Sequence, residues 1–215
     1  MSFKPKRGLF ITFEGGEGAG KTTLIESLHA HLKRRKIPSL QTRAPGGTPI
    51  GQKIRELVLS KHGISLDKRC ELLLFLADRA QHVDEVIKPA LKEKQIVLCD
   101  RFNDSTVAYQ SGARGFDEKL VHFLCSFACD AVQPDLTLYL DLDPKIGFER
   151  TKSTRSGKDR IESETLKFHQ KIRKAFHKIA KKDPKRFKMI DASKSAADVL
   201  TQAMEHIDAF LDTAR

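Results

Sequence analysis

The feature that most constrains this chain is a glycine-rich run, GGEGAGKT at residues 15–22, which fills every fixed position of the pattern G-x-x-x-x-G-K-[ST]. Leu9–Phe13 before it is a short apolar segment with β propensity. Residues 23–35 after it carry leucine and isoleucine at helical spacing. A strand, a glycine loop and a helix in this order are typical of a phosphate-binding loop, because the glycines turn backbone N–H groups toward one centre and the helix adds its positive end.

The loop predicts a site for nucleotide phosphates. Lys21 can reach the β- and γ-phosphates, and the Thr22 hydroxyl can ligate Mg²⁺. The predicted donor-phosphate residues are Gly15, Gly16, Glu17, Gly18, Ala19, Gly20, Lys21, Thr22 and Thr23. GTPases, ATPases and small-molecule kinases share such a loop. A Ras-like GTPase is disfavoured, because Asn103 is the single asparagine and it does not begin the guanine-specificity motif N-K-x-D.

Five β-prone runs separate helical stretches along the chain. They are Leu9–Phe13, Ser39–Arg43, Ile96–Asp100, Leu136–Asp141 and Lys188–Asp191. The alternation predicts βαβ units and a parallel sheet, in an α/β fold that spans residues 1–215 as one domain. Ligands of such sheets bind at the carboxyl ends of the strands. The residues expected at that edge are Glu14, Arg43, Asp100 and Asp141.

The net charge of +11 allows two kinds of partner, nucleic acid and nucleotide substrates. Much of the charge lies toward the C-terminus, where five lysines between residues 167 and 181 share one side of a predicted amphipathic helix. A lysine stripe of this kind is typical of a solvated helix face.

The sequence predicts a cytoplasmic protein without a membrane partner. It contains neither an apolar run long enough to span a bilayer nor a signal-peptide pattern. The cysteines, which form no C-x-x-C pair, are expected to be reduced thiols. They are Cys70, Cys99, Cys125 and Cys129.

Two acidic residues are expected near the phosphates. Glu17 lies inside the loop, where phosphates repel it, so it is better explained if it points toward a hydroxyl of a second substrate. Asp100 ends the third strand and can hold Mg²⁺ directly or through water. The next residue, Arg101, offers a planar guanidinium for a phosphate other than the one in the loop.

Two further segments suggest substrate contacts. Phe75 and Arg79 are four residues apart on a predicted helix over Glu71–Lys92, so they share a face that can stack a base and bond its edge. Residues 150–160 hold five basic residues and one acidic residue, together with Gly157. That composition predicts a mobile lid that closes over phosphates and supplies charge to the transition state, with Arg155 and then Arg150 as the catalytic candidates.

Together these motifs resemble the thymidylate kinase family. The carriers of the resemblance are FEGGEGAGKTT from Phe13, PGGT from Pro45, FLADR from Phe75, DRF from Asp100 with Ser105 and AYQ from Ala108, and DRIE from Asp159. They occur in the family's order between about Gly8 and Asp191. The resemblance implies a three-layer α/β/α P-loop kinase fold with a five-stranded parallel sheet, usually a homodimer, that phosphorylates dTMP with ATP and Mg²⁺.

The resemblance also implies roles for individual residues. Lys21 would hold the ATP phosphates and Arg101 the dTMP phosphate, while Glu17 would meet the 3′-hydroxyl. Phe75 would stack on thymine and Arg79 would contact its edge. Tyr109 would lie against the deoxyribose and exclude a 2′-hydroxyl. The remaining residues implied near the ring are Ser105, Thr106 and Gln110. The phosphate loop has no arginine, which resembles the bacterial type in which the lid supplies the catalytic one.

One residue departs from the family pattern, because Ala44 stands where the family has glutamate in R-E-P-G-G-T. Two alternatives to a dTMP kinase remain open at this point. One is another nucleoside or nucleotide kinase of the same fold. The other is a nucleic-acid-binding protein that uses its phosphate loop as a switch, although Phe75 and Tyr109 beside arginines favour a small nucleotide pocket.

Overall fold

A computed structural model describes residues 6–60, 66–152 and 159–213. Its centre is a five-stranded sheet in which every neighbouring pair is parallel, in the order β2-β3-β1-β4-β5. The strands are β1 Leu9–Gly15, β2 Ser39–Arg43, β3 Ile96–Asp100, β4 Leu136–Asp141 and β5 Phe187–Asp191. The predicted α/β class and five-stranded parallel sheet are therefore confirmed.

Helices connect the strands. They are α1 Lys21–Arg34, α2 Pro49–Leu59, α3 Lys68–His82, α4 Lys88–Lys92, α5 Asn103–Thr106, α6 Glu118–Ala128, α7 Pro144–Lys152, α8 Leu166–Lys182 and α9 Ala196–Thr213. Two π-helical segments interrupt them, Val83–Ile87 between α3 and α4 and Val107–Ala113 after α5. Capping side chains fix several helix starts: Thr48 accepts a hydrogen bond from the Gly51 N–H, and Thr165 accepts one from the Phe168 N–H.

The sheet is buried on both faces because its strands alternate apolar side chains between two layers of helices. In β1, Leu9, Ile11 and Phe13 pack toward α1 and α9 in the largest apolar cluster. Phe10 points to the other face, where it packs with Val97 and the π-helical segment Val83–Ile87. This two-sided burial explains why the central strands read as almost continuous apolar runs.

The carboxyl edge of the sheet gathers the predicted residues. Arg43 and Phe13 both lie opposite Asp100 in the register, and Asp141 lies opposite Asp191. Asp141 is bound there by Arg173, whose Nε donates to its Oδ1 over 2.7 Å. It is thus held in an ion pair, whereas the other edge residues border the cavities described below.

Several element boundaries differ from the sequence predictions. Strand β1 continues two residues further than expected, to Gly15, and β5 begins one residue earlier, at Phe187. The helix expected over Glu71–Lys92 contains the π-helical segment. The lid prediction is wrong for residues 150–152, which complete helix α7, and its part at 153–158 lies outside the described residues.

The lysine stripe is a solvent-facing helix surface, as expected. Phe168, Ile172 and Phe176 of α8 are buried, and the predicted lysines are exposed. Lys178 and Lys182 pair with Glu118. All four cysteines are free thiols, and three of them are buried. No helix in the described part of the chain is long and apolar enough to cross a membrane.

Candidate active site

The phosphate loop joins β1 to α1 through two close backbone approaches. Gly18 has φ 68°, and a Cβ on it would lie 2.4 Å from the carbonyl oxygen of Gly147 in α7. Gly20 precedes α1 in the left-handed region, at φ 87°. Side chains are excluded at Gly18 by this contact and disfavoured at both glycines by the backbone conformation.

Lys21 is folded back onto the loop. It is 8% exposed, and its Nζ donates to the carbonyl oxygens of Gly15 over 3.1 Å and Gly16 over 2.9 Å. Burial, reinforced by the nearby Arg101 cation, lowers the pKa of Lys21. The ammonium group is therefore held at the mouth of the loop by neutral carbonyls, which leaves its charge uncompensated by a direct carboxylate bond.

A polar cavity with about 1140 Å³ of space, open solvent at its mouth included, lies over the loop. It brings together Glu17, Gly18, Ala19, Gly20, Lys21, Thr22 and Thr23 with Asp100, Arg101 and Arg150. Gly15 and Gly16 contribute the carbonyls beneath Lys21. Arg150 is anchored at the rim, where its Nη1 donates to the Ala192 carbonyl over 2.9 Å. Arg155 lies outside the described residues.

A second cavity adjoins the first and is mainly apolar. It holds about 630 Å³, its open mouth included, and all eight predicted acceptor residues line it. They are Glu17, Phe75, Arg79, Arg101, Ser105, Thr106, Tyr109 and Gln110. The helix α3, the helix α5 and the π-helical segment Val107–Ala113 thus converge on one space, as the resemblance implied.

Arg101 lies at the junction, because it lines both cavities. Its backbone has φ 70°, and its N–H donates to the Phe13 carbonyl over 2.9 Å. Its guanidinium donates to Glu17 Oε1 and to Ser105 Oγ, each over 3.2 Å. The guanidinium is therefore fixed between the loop carboxylate and the first turn after β3.

Glu14 braces this turn from below. It is fully buried and accepts hydrogen bonds from the Phe102 N–H over 2.8 Å and from the Ser105 hydroxyl over 2.5 Å. Burial and the nearby Asp104 raise the pKa of Glu14 to about 7. The sequence placed Glu14 at the sheet edge but gave no sign that it orders the turn carrying Arg101.

The inner wall of the second cavity carries unpaired polar atoms. Arg79 is 4% exposed, and its guanidinium carbon lies 4.1 Å from the centre of the Phe102 ring. Its Nε and Nη1 find no hydrogen-bond partner within the described residues. Gln110 donates through Nε2 to Glu71 Oε1 over 2.8 Å, while its Oε1 is likewise without a partner there. Phe75 lies beside them, half-buried.

Sequence reasoning missed several residues that line the cavities. Arg55 from α2 lines both and donates to the Pro45 carbonyl over 3.0 Å. Asp159 and Glu162, from the segment before α8, border the loop cavity, and burial together with the Glu17 charge raises the pKa of Glu162. No local pattern separates Arg55 from the other basic residues, and only the DRIE motif indicated the acidic pair.

Ala44, the departure from the family pattern, lines both cavities as well. It is 3% exposed, and its N–H donates to the Asp100 carbonyl over 2.9 Å. The following Ala44–Pro45 peptide bond is cis. The backbone of this segment is thus joined to the end of β3, and no carboxylate stands at the position.

The oxygen ligands expected for a cation are also present. Thr22 and Asp100 line the loop cavity, and Asp100 Oδ1 is buried without a hydrogen-bond partner in the described part of the chain. Within the same residues, no group of three or more His, Cys, Asp or Glu is arranged to hold a metal alone. One or two protein oxygens are the usual set for Mg²⁺, which takes its other ligands from water and substrate phosphates.

Comparison with known proteins agrees with this geometry. The family model "Thymidylate kinase" matches residues 13–203. The chain is 46% identical to the thymidylate kinase of Protochlamydia amoebophila over 209 residues, which cover 94% of this chain and 93% of that protein. It is also 46% identical to that of Desulfovibrio desulfuricans over 209 residues, covering 94% and 96%.

A solved structure shows the same architecture. The crystal structure of thymidylate kinase from Ehrlichia chaffeensis superposes with a TM-score of 0.76 at 33% identity and covers 94% of this chain and 99% of that one. Sequence, fold and the two adjoining cavities lead to one assignment. This chain belongs to the thymidylate kinase family.

Proposed function

We propose that this protein transfers the γ-phosphoryl group of ATP to the 5′-phosphate of dTMP, giving dTDP. The observation that carries the proposal is the pair of adjoining cavities. One is built on the phosphate loop, the other is lined by an aromatic ring and two arginines, and they share Glu17 and Arg101. A donor and an acceptor bound in them would meet at that junction, as phosphoryl transfer requires.

The unpaired atoms of the inner cavity suit thymine. The imide edge of thymine presents a carbonyl oxygen beside the N3–H. Arg79 offers unpaired donors to the carbonyl, and Gln110 Oε1 offers an unpaired acceptor to the N3–H. Cytosine reverses both groups and would leave buried partners unmatched, which is costly. Phe75 provides the stacking surface, with Ser105 and Thr106 near the ring.

The sugar and acceptor phosphate occupy the part of the cavity next to the loop. Tyr109 lies against the deoxyribose and leaves no room for a 2′-hydroxyl. The carboxylate of Glu17 accepts the 3′-hydroxyl. Arg101 binds the acceptor phosphate, helped by Arg55 from the opposite wall, because guanidinium groups form paired charge-assisted bonds with phosphate oxygens.

The donor phosphates bind to the loop amides from Gly15 to Thr23 and to Lys21. Thr22 and Asp100 would hold Mg²⁺, directly or through water, and when bound the ion neutralises charge on the β- and γ-phosphates. Positioning and charge neutralisation then carry the reaction, since the acceptor phosphate is already an anion and needs no general base. We assign the transition-state charge contact to Arg155, with Arg150 as the second candidate.

A nucleic-acid-binding role has weaker support. Its argument was the basic C-terminal helix, but Lys178 and Lys182 are engaged by Glu118 and carry no interleaved exposed aromatics on α8. Small nucleotides are therefore the proposed substrates, in the cytoplasm and without a nucleic-acid partner.

We also propose a homodimer. Large apolar side chains are exposed on the neighbouring helices α3 and α6, namely Leu73, Leu120, Phe123 and Phe127. Such residues on a soluble domain are typical of a protein interface, and the family resemblance implies a second copy of the chain. Light scattering should give twice the mass of one chain, and Phe123→Ser with Phe127→Ser should give the monomer. A wild-type monomer at micromolar concentration contradicts the proposal.

The test of the reaction is an ADP-release assay with dTMP, dUMP, UMP and dCMP as acceptors. We expect dTMP to be preferred over dUMP by a modest factor, since one methyl group in an apolar pocket contributes about 1–3 kcal/mol. UMP should be poorer still because of Tyr109. Lys178→Gln, on the exposed helix face, is the matched control and should behave as wild type. Turnover of UMP equal to that of dTMP would show the pocket assignment to be wrong.

A further inference from the structure

Glu71 is a buried carboxylate that the proposed reaction does not use. It lies in the first turn of α3, one helical turn before Phe75, and is 2% exposed. Four hydrogen bonds reach it. Oε1 accepts from Gln110 Nε2 over 2.8 Å and from Arg114 Nε over 3.2 Å, while Oε2 accepts from Arg114 Nη2 over 3.1 Å and from Arg160 Nη2.

The two arginines keep this carboxylate ionised. Burial opposes the charge, but the hydrogen bonds from Gln110, Arg114 and Arg160 outweigh it, and the pKa of Glu71 is lowered. Arg160 is itself anchored, with its Nε on the Val58 carbonyl over 2.9 Å. An ionised carboxylate only accepts hydrogen bonds. The group that Gln110 turns toward Glu71 must therefore be its NH₂, and its carbonyl oxygen is left for the cavity.

We propose that Glu71 is a positioning residue that sets which way round the Gln110 amide lies, and thereby which base edge the acceptor cavity selects. The inference rests on the proposed function, in which Gln110 meets the base. With Glu71 ionised, the cavity wall presents an acceptor, which matches a base that carries N–H beside a carbonyl. With a donor in its place, the wall would match a base whose ring nitrogen is an acceptor.

The isosteric substitution Glu71→Gln tests this directly. A glutamine at 71 cannot turn its NH₂ toward two arginine donors, so its oxygen faces Arg114 and Arg160 and its NH₂ faces Gln110. Gln110 must then turn its carbonyl toward residue 71 and its NH₂ toward the cavity. The ratio of kcat/KM for dTMP to that for dCMP should fall at least about tenfold, because a buried mismatch at N3 is removed for cytosine and created for thymine.

Two internal comparisons separate positioning from general damage. dUMP has the same imide edge as dTMP, so the dTMP to dUMP ratio should not change in Glu71→Gln. Arg114→Gln removes two bonds to Glu71 without touching Gln110, so it should lower the melting temperature and leave both ratios as in wild type. If Glu71→Gln does not fold, the same substitution is made in Arg114→Gln, where less positive charge is buried, and the ratio is compared with that of Arg114→Gln alone.

The outcomes are distinct. An equal loss for dTMP, dUMP and dCMP in Glu71→Gln would mean that Glu71 only supports the fold, and the inference is then wrong. Gln110→Met keeps the side-chain length and removes both polar groups. If it leaves the dTMP to dCMP ratio unchanged, the assignment of Gln110 to the base fails. If it lowers the ratio while Glu71→Gln does not, the role of Glu71 alone fails.

Discussion

Replacing Phe75 by alanine should weaken dTMP binding while leaving the fold almost intact. Phe75 is half-buried, lines the acceptor cavity, and belongs to none of the apolar clusters formed by the described residues. Its neighbour Leu76 is 8% exposed and packs with Leu72, Val107 and Val121. Adjacent side chains of one helix therefore serve different purposes, and the pair provides a matched comparison.

The expected magnitudes differ in both readouts. Loss of base stacking costs about 1–3 kcal/mol, so dTMP should bind roughly 5- to 150-fold more weakly to Phe75→Ala. The melting temperature without ligand should fall by less than about 4 °C, since a partly exposed ring outside the core contributes on the order of 1 kcal/mol. Leu76→Ala should lose about 2–5 kcal/mol of stability, which is roughly 4–20 °C for a chain of this size.

Calorimetric titration with dTMP and a thermal melt of the apo protein measure the two quantities on the same preparations. The reasoning is refuted if Phe75→Ala melts as low as Leu76→Ala and binds dTMP as wild type does. That result would make Phe75 a core residue and remove the aromatic platform from the proposed site.

Three further perturbations have defined expectations. Arg101→Ala should weaken dTMP binding by about 1.5–3 kcal/mol in calorimetry and spare ATP, and unchanged dTMP affinity would exclude the phosphate role. Arg155→Ala should lower kcat by at least ~10² with little change in KM, whereas a kcat within a few-fold of wild type for both Arg155→Ala and Arg150→Ala would leave the lid without a catalytic arginine. Burial, with the Arg79 cation second, lowers the pKa of His82 to about 4, so its neutral form stabilises the fold fully above pH 6.5. About 3 kcal/mol should be lost as the pH falls from 6.5 to 4, and denaturant unfolding of His82→Gln should lack that part of the slope.

The sheet could be predicted from the sequence because its strands are buried on both faces. Ser39–Arg43, Ile96–Asp100 and Leu136–Asp141 begin and end where the apolar runs predicted. Strand alternation with helices then fixed the parallel pairing, and the carboxyl edge followed from it. The acceptor residues were brought together by short motifs that each lie at the end of a strand or on a helix face.

Features that depend on tertiary contacts were not predictable in this way. Residues 150–152 look like a basic loop by composition, yet Arg150 is held at the end of α7 by the backbone carbonyl of Ala192. The role of Arg55 depends on how α2 lies against the segment around Pro45. The hydrogen bonds at Glu71 join residues up to 89 positions apart, which no local pattern reports.

The separation of the two phosphate sites is set by the sheet and not by loops. Phe13 and Asp100 are register partners on β1 and β3, and the Arg101 N–H bonds to the Phe13 carbonyl. Lys21 leaves β1 through the phosphate loop, and Arg101 leaves β3 one residue after that paired position. Because strand pairing fixes both origins, the donor and acceptor cations keep their spacing before either nucleotide binds. A preorganised spacing of this kind is what phosphoryl transfer by positioning requires, since misplacement of reacting groups by about 1 Å can cost 10²-fold in rate.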